Sequence, residues 1–342
     1  MSHLTGARRV SRTALAALTA FATALALMVS VGAGVANADN RGWLRPDSTG
    51  SCDWDPVAHW VQRCDVWSPS TGANIGVQIQ PAARGGNAGF YLLDGLRATN
   101  NANAWTVDVN APAVYNDSNI TLVMPIGGAG SFYADWEQPA TYDLNNPVTY
   151  QWETFLTSEL PAYLAQNFGV APDNNSIAGL SMGGTAALNL AAKHPGQFRQ
   201  ALSWSGYLST TMPGMQTMMR VALLDAGGFN INAMYGSMVS PRRFENDPFL
   251  NMDGLRGKDV YISAATGLWG PEDANYPVNL KLSATPLEML ARVSTRLFEG
   301  KALATGVNVT TDYPLTGIHN WNQFGSQLYK TKGRVLDVMN AW

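Results

Sequence analysis

The chain has 342 residues, of which 46% are hydrophobic and 14% are charged, and its formal net charge is −3. This length fits one large globular domain or two small ones. The mild acidity argues against a nucleic-acid partner, because phosphate contacts need clusters of basic side chains.

Residues 1–38 are predicted to be a signal peptide. Arg8, Arg9 and Arg12 precede an apolar run from Thr13 to Val35, and Ala36-Asn37-Ala38 fits a small-x-small cleavage site. The run is also long enough for an uncleaved membrane anchor, but the cleavage site favours secretion to the cell envelope or the extracellular space. Cleavage would remove three arginines and no acids, which changes the formal charge from −3 to −6.

Residues 39–69 are predicted to be an irregular covering segment, the first part of a single domain over residues 39–342. Cys52 and Cys64, the only two cysteines, are spaced for a disulfide that closes a short loop. His59 lies between them, but no fourth ligand completes a zinc set. We therefore predict the disulfide and no metal.

Short apolar runs alternate with helical patterns along the rest of the chain, which predicts a mostly parallel sheet with helices on both faces. The predicted strands are Ile75–Ile79, Gly89–Leu93, Ile120–Met124, Ser176–Ala178, Gln200–Trp204 and Val260–Ala264, and the helices include Trp152–Gln166, Thr185–Lys193 and Pro286–Phe298. The segment from Tyr207 to Asp253 is rich in Gly, Met and Asn and is long for a connection. It is predicted to be an insertion that shapes a substrate site.

The pentapeptide Gly179–Gly183 reads Gly-Leu-Ser-Met-Gly and follows a short apolar strand, with an Ala- and Leu-rich helix after it. Gly-x-Ser-x-Gly between a strand and a helix is typical of a nucleophile elbow, in which a sharp turn exposes the serine oxygen at the end of the sheet. Ser181 is therefore the predicted nucleophile. The pattern predicts the α/β-hydrolase fold.

A serine nucleophile needs a histidine base, which comes after the acid in this fold. His3 leaves with the signal, His59 precedes the sheet, and His194 ends the helix after the elbow, so His319 remains by elimination. The acid is not fixed by the pattern. Position favours Glu272 or Asp273, soon after the strand ending at Ala264, and Glu288 is the other choice.

An oxyanion hole needs two backbone N–H groups. One is expected from Met182, directly after the nucleophile, and the other from Leu96, in the turn after the strand Gly89–Leu93. Asp94 and Arg97 would then lie beside the nucleophile, where they can hydrogen-bond a polyhydroxyl substrate. The alternative is an Asp–Arg surface pair that stabilises the turn.

These residues, with others, resemble the antigen 85 family of mycolyltransferases. The matching stretches are Leu92–Arg97, Val123–Gly128, Ser131–Trp136, Trp152–Pro161, Gly179–Gly183, Asp225–Gly228, Asn246–Pro248 and His319–Trp321, in order from about residue 75 to the C-terminus. The resemblance implies a secreted acyltransferase without a cofactor. Its donor is trehalose monomycolate and its acceptors are a second such molecule or arabinogalactan, so the partners are trehalose mycolates, cell-wall glycan and the outer mycolate layer.

The resemblance also assigns roles residue by residue. Ser181 matches the nucleophile, His319 the base and Glu288 the acid, so the resemblance favours Glu288 over the positional choices. The oxyanion-hole positions match Leu96 and Met182, the trehalose-binding pair matches Asp94 and Arg97, and a residue lining the sugar site matches Trp321.

The chain departs from the family in three places. Antigen 85 proteins read Ser-Met-Ala-Gly where this chain has Ser181–Gly184, and their cysteine before the acid is replaced near Ala264. The extension with Cys52 and Cys64 looks more like the corynebacterial-type enzymes. These features leave the acceptor open among trehalose monomycolate, arabinogalactan and a protein serine. A secreted esterase or lipase with water as acceptor and a binding protein for a host matrix protein are the alternative functions.

Overall fold

The computed structural model describes residues 41–142 and 147–342, so the predicted signal peptide lies outside the described residues. Nine strands form one sheet in the order β1-β2-β3-β5-β4-β6-β7-β8-β9. The strands are β1 (Asp53–Trp54), β2 (Gln62–Ser68), β3 (Ala73–Gln80), β4 (Ala88–Leu93), β5 (Ile120–Pro125), β6 (Asn175–Leu180), β7 (Phe198–Trp204), β8 (Asp259–Ser263) and β9 (Val309–Asp312).

The sheet is parallel from β5 through β4, β6, β7 and β8 to β9, whereas β1, β2, β3 and β5 pair antiparallel. The predicted α/β-hydrolase architecture with a mostly parallel sheet is therefore confirmed. All six predicted strands are present, and β9 is an additional strand that the sequence pattern did not reveal.

The N-terminal segment corrects one expectation. It was predicted to be irregular, yet it contains β1 and β2, and β2 pairs with β3 along its whole length. Inward-facing residues alternate along β2 with partly or fully exposed ones, the period of two that a half-buried strand requires. The predicted disulfide between Cys52 and Cys64 is present and buried beside these strands.

Helices cover both faces of the sheet. They are α1 (Ala104–Val107), α2 (Ala111–Val114), α3 (Trp152–Thr154), α4 (Leu160–Phe168), α5 (Met182–Lys193), α6 (Met215–Gly227), α7 (Ile231–Tyr235), α8 (Pro241–Glu245), α9 (Val278–Thr305) and α10 (Trp321–Met339). One π-helical turn, Phe155–Glu159, joins α3 to α4. Two 3-10 turns, Met252–Leu255 and Pro271–Asp273, precede β8 and α9.

The helix predicted over Pro286–Phe298 is longer in the structure. Pro286 favours the first turn of a helix because it lacks an N–H, which suggested a start there. Instead α9 begins at Val278 and continues through Pro286. The predicted insertion, from Tyr207 to Asp253, contains α6, α7 and α8. In the described residues, no helix is long and apolar enough to cross a membrane.

Two apolar clusters form the core, one on each face of the sheet. The first contains α5, which is buried from Met182 through Ala192. The second contains the inner face of α10, including Phe324 and Leu328. Both faces are thus closed, and the polar groups of the candidate site lie at the carboxyl ends of β4, β6, β7 and β8, where this fold places its sites.

Candidate active site

Ser181 occupies the sharp turn between β6 and α5. Its φ of 52° and ψ of −120° lie in a region that side-chain-bearing residues rarely adopt. Glycines make the turn possible, since a Cβ at Gly179 would lie 2.4 Å from the carbonyl carbon of Gly183. A Cβ at Gly183 would in turn lie 2.5 Å from the carbonyl oxygen of Asp94. The strand, the strained serine and the helix form the elbow geometry that the pentapeptide predicts.

The loop after β4 lies against this turn. A Cβ at Gly95 would be 3.8 Å from the Cβ of Ser181 and 2.7 Å from a methyl carbon of Leu180. Among the bonds of the described residues, none uses the N–H of Leu96 or of Met182. Met182 is also the first residue of α5, where the helix dipole favours negative charge. Both N–H groups are therefore free of other partners in the described part of the chain.

The Glu288 carboxylate lies at the imidazole of His319. Its Oε2 is 2.8 Å from His319 Nδ1, and its Oε1 accepts hydrogen bonds from the Ser205 hydroxyl at 2.8 Å and the Ala265 N–H at 2.7 Å. Glu288 is fully buried on the inner face of α9. Three donors thus hold one buried carboxylate, which fixes the orientation of the imidazole.

The two acids favoured by position lie elsewhere. Asp273 is buried, but it accepts hydrogen bonds from the N–H of Gly270 and the side-chain amide of Asn320. The exposed Glu272 accepts from the Thr316 hydroxyl. Of these three acids, Glu288 is the one in contact with His319.

Tyr207 is a site residue that the sequence reading missed. Its ring centroid is 6.0 Å from that of His319, and its hydroxyl is 3.5 Å from the Leu287 carbonyl. Burial raises the pKa of the phenol, as does the negative charge of Glu288, while the contact with Ser181 opposes them. Thr185, one turn after Ser181, accepts from the Tyr207 N–H at 2.9 Å and donates to its carbonyl at 3.1 Å.

Ser181 and His319 both border Tyr207, but no hydrogen bond joins them in the described part of the chain. Nδ1 of His319 is engaged by Glu288, which leaves Nε2 to act on a serine or sugar hydroxyl. Catalytic hydrogen bonds often tighten only when substrate is bound. Ser205 could have been anticipated, because it directly follows β7 at the same edge of the sheet as the elbow; no sequence signal points to Tyr207.

Asp94 and Arg97 do not contact each other. Asp94 is buried and its carboxylate accepts the N–H of Ala104, at 2.9 Å from the nearer oxygen. Burial raises the pKa of Asp94 to about 7, against the opposing effect of that hydrogen bond. The exposed Arg97 forms an ion pair with Asp225 of α6. The turn is therefore held by separate contacts of the two residues, not by an Asp94–Arg97 pair.

Trp321 begins α10, two residues after His319. Its ring meets those of Trp105 and Phe324 edge to face, at centroid distances of 5.1 and 5.7 Å. Phe324 in turn packs edge to face against His319 at 5.1 Å. Trp321 is half-buried, so one part of the ring supports the histidine loop and the other part is open to solvent.

No group of three or more His, Cys, Asp or Glu side chains arranged to hold a metal occurs in residues 41–142 and 147–342. The site contains a serine with a strained backbone and a histidine oriented by a buried glutamate. Two backbone N–H groups, those of Leu96 and Met182, have no other bond. Such a set can carry out acyl transfer through a serine ester.

Comparison with known proteins agrees with this chemistry. Residues 68–335 match the family described as "Putative esterase". The diacylglycerol acyltransferase/mycolyltransferase Ag85B of Mycolicibacterium smegmatis is 41% identical over 271 residues, 78% of this chain and 82% of the relative. Ag85A of Mycobacterium tuberculosis is 39% identical over 284 residues, 82% of each chain.

Solved structures show the same fold. The crystal structure of MPT51 (FbpC1) of Mycobacterium tuberculosis has a TM-score of 0.71 and 28% identity, and the match covers 82% of this chain and 98% of that one. The serine hydrolase FphF of Staphylococcus aureus has a TM-score of 0.61 and 16% identity, covering 81% of this chain and 97% of its own. The second likeness concerns the fold alone.

Proposed function

Because the chain belongs to the Ag85 family of mycolyltransferases, we propose that it transfers a mycolic acyl chain from trehalose monomycolate to a sugar hydroxyl. The observation that carries the proposal is the buried contact between Glu288 and His319 next to the strained Ser181. Acceptors of the same chemistry are a second trehalose monomycolate and arabinogalactan. A protein serine is a further acceptor that this site chemistry allows.

The first step forms an ester on Ser181. Nε2 of His319 accepts the hydroxyl proton while Oγ bonds to the ester carbonyl carbon. The N–H groups of Leu96 and Met182 stabilise the oxyanion, each by about 3 kcal/mol. The bond from the carbonyl carbon to the trehalose oxygen then breaks, and that oxygen takes the proton back from His319. Glu288 stabilises the imidazolium in between.

The second step transfers the acyl chain. An acceptor hydroxyl gives its proton to Nε2 of His319 and bonds to the carbonyl carbon, after which the bond to Oγ breaks and Ser181 recovers the proton. Transfer competes with hydrolysis, so the acceptor must be positioned and water kept out. Ser181 is nearly buried, and Tyr207 covers His319 on one side. Both features favour transfer.

Sugar recognition is assigned to Arg97 and Trp321, with Asp94 in support. Arg97 is exposed and can exchange Asp225 for sugar hydroxyls, while the open part of Trp321 offers an apolar surface for a sugar ring. Asp94 is buried, so its role is to hold the loop that carries Leu96 and Arg97. We place this activity in one domain over residues 39–342, exported to the cell envelope after removal of residues 1–38.

A secreted esterase with water as acceptor is the second candidate. The match to an esterase family over residues 68–335 favours it, because the first step is identical. The two differ only in what discharges the acyl-enzyme.

Mass spectrometry of the intact protein tests both functions. The protein is incubated with trehalose monomycolate, alone and with an excess of trehalose or an arabinan fragment, and S181A serves as the control. We expect a mass increase of one acyl chain on the wild type, absent from S181A, and its discharge as an acylated sugar. Formation of free acid as the sole product would contradict the transferase and support the esterase. Absence of an adduct with trehalose monomycolate would contradict both.

A further inference from the structure

The outer face of α9 carries no charge over four turns. Nine positions between Val278 and Val293 are exposed, and none is Asp, Glu, Lys or Arg. A surface helix normally places charged side chains on its solvent face. Six of these positions are large and apolar, and we call them the α9 ridge: Val278, Leu280, Leu282, Leu287, Met289 and Val293.

A neighbouring loop extends the ridge. Leu268 and Trp269 are 64% and 48% exposed, and Gly267 packs so closely on Met289 that a Cβ there would be 2.7 Å from its Cγ. The Trp269 indole N–H donates to the Thr285 hydroxyl at 2.9 Å, which ties the loop to α9.

Leu315, 80% exposed, is joined to the same loop through the Thr266 hydroxyl, which donates to the Leu315 carbonyl at 2.7 Å. Lys281 is buried, donates to the Ala274 carbonyl and lies 5.2 Å from the centre of the Trp269 ring. Two further charges border this area: the half-buried Arg292 donates to the Pro314 carbonyl, and the exposed Glu272 accepts from the Thr316 hydroxyl. The ridge, Leu268, Trp269 and Leu315 therefore form one apolar surface, and the charges at its border have partners of their own.

This surface borders the site. Glu288 lies between two ridge residues and points to the opposite side of α9, where it meets His319. The Tyr207 hydroxyl is 3.5 Å from the Leu287 carbonyl, and the His319 N–H is 3.4 Å from the Ala284 carbonyl. Within these four turns, Glu288 therefore lies on the inner face of α9 and the ridge lies on its outer face.

We propose that the α9 ridge, with Leu268, Trp269 and Leu315, docks the enzyme on an uncharged glycolipid surface. The inference rests on the proposed function, since it identifies where the acylated sugar is met. Large exposed apolar surfaces mark protein or membrane contacts, and Leu and Trp are typical of faces that enter the boundary between headgroups and hydrocarbon.

Charge and substrate chemistry select this occupant. The formal charge is −3 for the whole chain and −6 without residues 1–38, so an anionic surface repels the protein, and the six ridge residues include no basic group that offsets this repulsion. An uncharged glycolipid layer carries no such penalty. In an acylated sugar, the ester lies at the boundary between the sugar and the hydrocarbon. An apolar face that enters this boundary beside Ser181 and His319 brings the site to the depth of the ester.

Vesicle flotation tests the docking. The ridge variant carries Leu282→Gln, Met289→Gln and Val293→Gln, which keep charge and helix propensity. The matched control carries Val107→Gln, Val239→Gln and Leu303→Gln at exposed apolar positions outside the ridge. The probes are phosphatidylcholine vesicles containing trehalose dimycolate and vesicles containing phosphatidylglycerol. Turnover of a water-soluble short-chain nitrophenyl ester reports that the site is intact.

We expect wild type and control to float with the glycolipid vesicles and not with the anionic ones. The ridge variant should lose about tenfold or more of this binding while its turnover of the soluble ester stays within about twofold. Equal flotation of the ridge variant and wild type would overturn the proposal. So would a wild-type dimer in sedimentation that the ridge variant abolishes, since a second copy would then cover the ridge.

The test also separates docking from catalysis. S181A is expected to float like the wild type. Ridge-dependent flotation without acyl transfer would leave the docking in place and contradict the proposed function. Acyl transfer from vesicles at an equal rate in ridge variant and wild type would contradict the docking alone.

Discussion

Glu288 and His319 meet through a 2.8 Å hydrogen bond in which the carboxylate is wholly shielded from solvent. Because Ser205 and Ala265 bind the second oxygen of the carboxylate, this orientation is fixed before any substrate arrives. Four elements contribute to the contact: α9, the loop before α10, the end of β7 and the end of β8. The histidine is therefore held by the body of the fold.

E288Q is expected to lower kcat by about 10²–10⁴-fold, because an amide does not stabilise the imidazolium. E272Q is the matched control, since Glu272 is exposed and bonded to Thr316, and its kcat should change less than about twofold. Acyl-enzyme formation with a short-chain ester measures both. A larger loss in E272Q than in E288Q would show that the base is oriented by another acid.

S205A removes one of the two donors to the inner oxygen of Glu288 and leaves that oxygen with the Ala265 N–H. We expect kcat to fall about tenfold and the free energy of unfolding to fall by about 1–3 kcal/mol. S283A, on the outer face of α9, removes a hydroxyl that bonds only within the helix and should change neither quantity. Steady-state kinetics and thermal unfolding check the pair. Unchanged kinetics in S205A would mean that Ala265 suffices.

Y207F removes the hydroxyl beside Ser181 and keeps the ring beside His319. We expect kcat to fall about three- to thirtyfold with little change in KM, because loss of the hydroxyl loosens the packing that positions Ser181 and His319. Y207L also removes the ring over His319, so the share of acyl-enzyme lost to water should rise. Product ratios with trehalose as acceptor measure that share, and equal ratios in Y207L and wild type would contradict it.

G183A introduces the alanine typical of antigen 85 proteins at this position. The new Cβ would lie 2.5 Å from the Asp94 carbonyl oxygen and 2.7 Å from that of Leu93, so the loop carrying Leu96 must shift. We expect about a tenfold loss in kcat with an intact fold. At Gly300, in α9, a Cβ has nothing within 4 Å, so G300A should stabilise the protein by about 0.5–1 kcal/mol and leave kcat unchanged. Wild-type kcat in G183A would show that the loop adapts.

The stability of the protein should depend on Asp94 between about pH 4 and pH 7. Burial raises the pKa of Asp94 to about 7, above its ordinary value near 4. Within this window the folded chain binds more protons than the unfolded chain, so the free energy of unfolding decreases as the pH rises.

D94N removes this titration while keeping an oxygen for the Ala104 N–H. Relative to the wild type, we expect D94N to gain about 1–3 kcal/mol of stability between pH 4.5 and pH 8. Denaturant unfolding at several pH values measures the difference. D173N is the control, since Asp173 is exposed. A constant difference between D94N and wild type would contradict the assignment.

The sheet, the elbow and His319 follow from the sequence because each has a local signature. Period and length identify the parallel strands, and Gly179–Gly183 combines a turn with a nucleophile. Elimination leaves one histidine. The disulfide follows from having two cysteines at short spacing. For the strands, the elbow and the disulfide, the pattern that predicts the feature lies within about a dozen residues.

The remaining features depend on contacts between distant segments. Position favoured Glu272 and Asp273, yet Glu288 lies on the buried face of α9 with the small residues Ala284 and Ala291. The first two turns of α9 were not predicted, because Pro286 is typical of a helix start. β2 was not predicted, because the residues around Cys52 are typical of turns. Tyr207 reaches the site because Thr185, on α5, binds its backbone. No window of sequence contains that pairing.

Because α5 is buried in the core, the active site can form only late in folding. The second and third residues of this helix are Gly183 and Gly184, which are poor helix formers, so packing between the sheet and the surrounding helices holds it in place. The strained backbone of Ser181 exists only while that packing does. Until the core has closed, Ser181 is an ordinary serine with no base beside it. The appearance of acyl-transfer activity during refolding therefore measures completed folding.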